Sequence, residues 1–250
     1  MLNPILVESV GGPDHCNASE SDHEGAISLA KARIIMAAAA LAMLAACQTP
    51  PQGDKPRPVI SVAAPTKTQT WMGIASAADV QRLANVTGAW AAGLADARKA
   101  NFISALRDEG ELLKTDAGLP RPAPTPGSYN CRLVRLGSAG KGKPAFEKFK
   151  PFFCYVQVEG DLLTIVKQTG DTRPAGRLWE DDDPQRLIFL GSLALGSEDS
   201  PLAYGEDPKR DMAGVLERIA PFKWRLVIPW PQDGAKLNVF ELTPVADQPK

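Results

Sequence analysis

Carboxylates and arginines carry most of the reactive potential of this 250-residue chain. Glu217 shares strand parity with Val215 and Ile219, and Glu241 with Leu237 and Val239, so both are expected to point toward an apolar interior. Two inward carboxylates about 5–10 Å apart could hydrolyse a glycan. The competing expectation is an inward charge satisfied by an arginine such as Arg218 or Arg225. Arg173, Arg177, Arg210, Arg218 and Arg225 recur around strand ends and would suit an anionic group, with ion pairs to Asp171, Asp211 and Glu217 as the structural alternative. Glu180-Asp181-Asp182-Asp183 reads as a solvated turn, because it lacks the spaced ligands of a calcium loop. Gly137-Ser138-Ala139-Gly140-Lys141-Gly142-Lys143 is a flexible loop without phosphate-loop spacing. These residues call for no metal and no cofactor.

A targeting segment narrows the chemistry further. Lys31 and Arg33 precede an apolar run from Ile34 that ends in Leu44-Ala45-Ala46-Cys47. The run is too short to span a bilayer, which needs about 20 apolar residues, and has the layout of a signal peptide. The tetrad resembles the lipobox of bacterial lipoproteins, in which the cysteine is lipidated and becomes the first mature residue. In such proteins a residue other than Asp after the cysteine implies the outer membrane, and here it is Gln48. Residues 1–30 contain acids but no Lys or Arg, the wrong sign for the start of a signal peptide, so an over-extended start with initiation near Leu29 is expected. Cleavage before Cys47 removes five of 29 acids and two of 28 bases, leaving 24 and 26 and a net charge of +2. It also removes His15 and His23, both histidines of the chain. A mature protein without histidine has no Ser-His-Asp or Cys-His apparatus and no histidine-based zinc site. Near-neutral charge gives no reason to expect nucleic acid as a partner.

The elements that must position these side chains follow in order. Residues 47–70 carry the lipidated cysteine and Pro50, Pro51, Pro56, Pro58 and Pro65, a semi-extended linker. Residues 71–117 form a helical region. One helix is capped by Ser76 and Asp79 and carries an apolar face from Val80 to Ala97; a second runs from Phe102 to Leu113. Trp90 is expected to anchor it in the core. A loop rich in proline from Gly118 to Gly127 separates this region from a β domain at 127–245. Eight strands are expected there, at 128–136, 152–159, 162–168, 176–180, 186–194, 214–219, 223–228 and 237–243. Short connections make neighbours antiparallel, and the fold is a mainly β, up-and-down eight-stranded barrel with an N-terminal helical pair; a two-sheet sandwich is the alternative. A two-residue turn at Gly160-Asp161 sets Val158 against Leu163 and Val156 against Ile165, which makes Phe152, Cys154, Val156, Val158, Leu163 and Ile165 the core face and ends it at Lys167, at the mouth or inside. Cys131 and Cys154 share core-facing parity on neighbouring strands, and in an oxidising compartment they are expected to form a disulfide closing a loop worth roughly 3 kcal/mol.

Several stretches resemble the exported bacterial family known as domain of unknown function 4893. They are Gly127-Ser128-Tyr129-Asn130-Cys131-Arg132, Phe153-Cys154-Tyr155-Val156, Lys167-Gln168-Thr169-Gly170 with Arg173-Pro174-Ala175-Gly176, and Phe189-Leu190-Gly191. Tyr204-Gly205, Arg210-Asp211-Met212-Ala213-Gly214 through Ile219, Trp224-Arg225-Leu226 and Glu241-Leu242 continue the series. The family usually carries Ser-Gln where Asp171-Thr172 stands here. The resemblance spans about 80–245 and implies an exported domain, without an activity to carry over.

The sequence therefore leads to an envelope lipoprotein, anchored to the outer membrane through Cys47 and facing the periplasm. Its expected role is a non-catalytic binding or inhibitory module for a small apolar ligand or an envelope protein. The inhibitory variant rests on the analogy that some small exported barrels inhibit secreted proteases. The alternatives are a carboxylate-dependent hydrolase of cell-wall glycan and a purely structural component. A mouth cavity would mark the binder and a cleft with two facing carboxylates the hydrolase.

Overall fold

The structure, a computed structural model, describes residues 64–196 and 198–246. The N-terminal extension, the signal segment, Cys47 and most of the expected linker lie outside the described residues.

Four short helices and a 3₁₀ turn replace the expected helical pair: α1 (Lys67–Met72), α2 (Ala77–Ala84), α3 (Val86–Lys99), α4 (Ile103–Asp108) and the turn Gly110–Leu113. α1 begins inside the stretch read as linker. Its only buried residue is Trp71, too little periodicity to betray a helix, and a capping box between Thr66 and Gln69 starts it. Ser76 caps α2 as expected, its hydroxyl accepting from the Asp79 N–H. The single long helix breaks at Asn85, which leaves helical geometry and serves as the C-cap of α2 and the start of α3.

Nine strands follow: β1 (Gly127–Leu136), β2 (Phe146–Lys148), β3 (Phe152–Glu159), β4 (Leu162–Lys167), β5 (Thr172–Glu180), β6 (Arg186–Leu195), β7 (Asp211–Ala220), β8 (Lys223–Pro229) and β9 (Leu237–Pro244). Each pairs antiparallel with the next from β3 to β9, and β9 returns to β1, closing an eight-stranded up-and-down barrel. Short β2, unmarked in the sequence, pairs with Val134–Leu136, while β3 pairs with 127–131 of the same strand. The two act as one strand interrupted at Phe149–Pro151. The Gly160-Asp161 hairpin has the expected register, Val158 against Leu163 and Val156 against Ile165, but Val158, expected on the core face, is 64% exposed near the hairpin turn.

β5 starts four residues before the expected Gly176 because Pro174 is tolerated. It lies opposite Leu193, whose own N–H is turned away to the Arg210 carbonyl, and the β4 pairing ends at Ala175. No ladder bond is therefore lost to the missing N–H. Inside the barrel Gly176 faces Gly191 so closely that a Cβ on Gly191 would meet the Ala175 carbonyl at 2.2 Å, and the Phe189 ring packs over the pair.

The core has two layers. Tyr129, Val156, Ile165, Leu178, Phe189, Leu216, Leu226 and Leu242 fill the barrel, joined by the Cys131–Cys154 disulfide between β1 and β3, with Cα atoms 5.9 Å apart. A second layer lies outside the wall. There α3 and the 3₁₀ turn set Trp90, Leu94 and Leu112 against Val134, Val227 and Val239, while Trp71 and Leu83 pack on Ile188, Leu190 and Val215. β6 to β9 are consequently buried on both faces along most of their length, whereas β3 alternates.

Candidate functional site

The two carboxylates proposed for hydrolysis do not point into the barrel. Their phase with Val215, Ile219, Leu237 and Val239 holds, but those residues belong to the outer layer beneath the helices. Register places Arg186, Glu217, Arg225, Glu241 and Arg132 side by side across five successive strands, a row of alternating charge on the outer wall. Glu217 accepts from Arg225 Nε at 2.7 Å. Glu241 pairs with Arg132, and with Lys223 at 3.0 Å. Arg132 and Lys148 also hold Glu109 from the α4 end, at 2.6 and 2.8 Å. Burial raises the Glu241 carboxyl, but hydrogen bonds and charge from Arg132 and Lys223 outweigh it and hold the group below the usual carboxylate range. Glu109 is held low in the same way by Arg132 and Lys148 against the opposing effect of burial.

The arginines are not gathered around one anion. Arg225 is completely buried; besides Glu217 it donates to the Leu112 and Lys114 carbonyls at 3.0 and 2.6 Å, and its guanidinium stacks over Trp90. It clasps the 3₁₀ turn to the barrel. Arg218 donates to the Pro120 carbonyl, Arg177 pairs with Glu159 at 2.7 Å, and Arg173 is held by the Gly170, Gly196 and Glu198 carbonyls. Arg210 is bound by Glu198 and Asp207.

The cavity lies elsewhere, at one barrel end. The opposite end is sealed: Tyr129 donates to the Thr125 carbonyl, Trp224 to that of Pro122, and the two rings meet edge to face at 5.9 Å. The Gly118–Pro126 loop is thus a plug. At the open end Leu133, Pro174, Leu193, Met212, Ile228 and Phe240 wall a cavity of about 290 Å³. Beneath it only about 10 Å³ remains between Phe152, Ile165, Phe189, Leu226 and Phe240, so the lower barrel is filled.

A few polar groups converge on this mouth. Asn238, Arg135 and Trp230 stand on the β9, β1 and β8 side, with Asn238 opposite Arg135 in register. Asn238 is 6% exposed; its amide nitrogen donates to Asp233, while its Oδ1 has no partner among the described residues. Arg135 Nε and Trp230 Nε1 are likewise buried without a partner there. Lys167, at the end of β4, donates to the Thr172 carbonyl at 2.9 Å and lies 4.5 Å from the Phe152 ring centroid. Burial, and secondarily Arg173, push its ammonium below the usual lysine range, offset in part by Asp171. The apolar face that ends at Lys167 announced this residue; Arg135, Asn238 and Trp230 carried no sequence signal, because a mouth position looks like any other inward position.

A family model described as a domain of unknown function, DUF4893, matches residues 71–242. The chain belongs to this family. Comparison with curated proteins and with solved structures finds no match.

Proposed function

We propose that the chain is an exported lipoprotein, anchored through Cys47 to the outer membrane, whose barrel binds a small, mainly apolar ligand in its mouth without transforming it. The observation that carries the binding reading is the one-ended cavity, apolar on its walls, edged by a few polar groups and closed below. The anchor rests on the Lys31–Cys47 segment and its resemblance to a lipobox. A hydrolase finds less support, since Glu217 and Glu241 are committed to ion pairs outside the cavity.

The test uses the full chain with the neutral apolar fluorophore 1-naphthylamine, small enough for a cavity of about 290 Å³. The dye is expected to bind, and Met212→Trp, which fills the mouth, is expected to abolish binding while thermal melting stays cooperative. Dye binding that Met212→Trp leaves unchanged would place the site elsewhere and overturn the reading. In cells, Cys47→Ala is expected to prevent lipid incorporation and membrane fractionation; unchanged fractionation would remove the anchor.

A further inference from the structure

Resting on the Cys47 anchor proposed above, we infer that the sealed end of the barrel docks on the lipid surface that holds the anchor, through the apolar side chains of Phe222 and Val158. The mouth then opens away from the bilayer and is loaded from the aqueous phase.

The course of the chain picks out the end. β1, β4, β6 and β8 finish at the mouth, whereas β5, β7 and β9 start there. α1 meets the barrel where β5 finishes: Lys67 pairs with Glu180 at 3.0 Å, and the Thr68 hydroxyl donates to Asp181. From there the chain climbs the outer wall, setting Trp71 on Ile188, Leu190 and Val215. It reaches the loop between β6 and β7, at the mouth end, where the Ser76 N–H donates to the Tyr204 hydroxyl at 2.9 Å. The chain therefore enters at the sealed end. Only residues 48–63 lie between Cys47 and the described part, so this is the end the anchor holds nearest the lipid.

Exposure picks out the contact. Phe222, 73% exposed, and Val158 are the two most exposed large apolar side chains among the described residues, and both stand at the sealed end. Phe222 tips the β7–β8 hairpin beside the Ala220–Lys223 pair, and Val158 adjoins the β3–β4 turn. Phe222 also holds a φ of 55°, a conformation that glycine adopts freely and a bulky residue rarely. A large ring thus stands in water at a turn position that glycine fits better, an outlier that points to a role for the ring itself. Insertion into a lipid interface would take both side chains out of water.

Charge does not supply the contact. Glu180, Asp182 and Asp183 around the β5–β6 turn share this end with Arg121, Arg218 and Lys223, so it offers no single sign to a charged surface. The partner is therefore the apolar interface of an uncharged bilayer. Two small insertions suffice because the tether makes their binding an intramolecular step.

The lipidated full chain on phosphatidylcholine vesicles tests the orientation with added tryptophans, the wild-type chain supplying the background emission. Brominated phosphatidylcholine is expected to quench the emission added by Phe222→Trp and to leave unchanged that added by Gln232→Trp, an exposed position at the mouth. Val158→Trp is the second reporter should Phe222→Trp not melt cooperatively. If the chain stays with the vesicles but neither reporter at the sealed end is quenched, or Gln232→Trp is quenched as strongly, the docking is overturned and the anchor stands. A lipidated chain that does not stay with the vesicles would remove the anchor and the docking together.

Discussion

Arg225 shows how a residue that looks available for chemistry is consumed by architecture. A fully buried guanidinium costs several kcal/mol to desolvate, and that cost is met only when its donors are occupied. Glu217 and the carbonyls of the 3₁₀ turn occupy them. The neighbouring acids make a measurable statement about pH. Glu109, Glu241 and Asp181 all titrate below their usual ranges; in each, burial acts upward and is outweighed, for Asp181 by Thr68, Trp71 and Arg186. As pH falls, the unfolded chain therefore takes up protons before the folded one. The stability these groups contribute is complete above the unfolded values, near 4, and is lost as pH drops through the lower folded values. Melting temperature measured from pH 6 to pH 2.5 should hold steady and then decline below about pH 5. Glu241→Gln should melt lower at pH 6 and show a shallower decline. An equal acid dependence in the variant would contradict the assignment.

At the level of elements, the paired glycines make the sharper prediction. Gly191→Ala drives a methyl against the Ala175 carbonyl and the Gly176 Cα, both backbone, so relief requires the β5–β6 ladder to part. A loss of about 2–3 kcal/mol is expected, the upper part of the overpacking range. Gly73→Ala, where the nearest atom to an added Cβ is 3.4 Å away, should change stability by less than about 0.5 kcal/mol. Denaturant titration separates the two. The same strands explain what the sequence could and could not convey. Alternation along β3 named Cys154 and Val156 as inward and the hairpin turn set the register, because one side of that strand meets solvent, but parity could not tell that Val158, near the turn, lies exposed. Along β7 and β9 both sides are buried, so parity grouped Glu217 with Val215 and Glu241 with Val239 without telling barrel interior from helix-covered exterior. The plug and the cavity depend on which strand ends meet after closure, information that lies in no single segment.

For the whole molecule, the plug fixes how occupants can exchange. With Tyr129, Trp224 and the Gly118–Pro126 loop sealing one end, arrival and departure share a single doorway. A resident molecule cannot be pushed out from behind. Exchange must then be dissociative: the observed displacement rate equals the resident's own off-rate and levels off as competitor is raised. Stopped-flow displacement of bound 1-naphthylamine by rising octanoate should reach a plateau. A rate that keeps climbing would mean that the barrel opens at its base. On the proposed binding reading, the seal that completes the fold makes the dwell time a property of the ligand's own hold on the mouth.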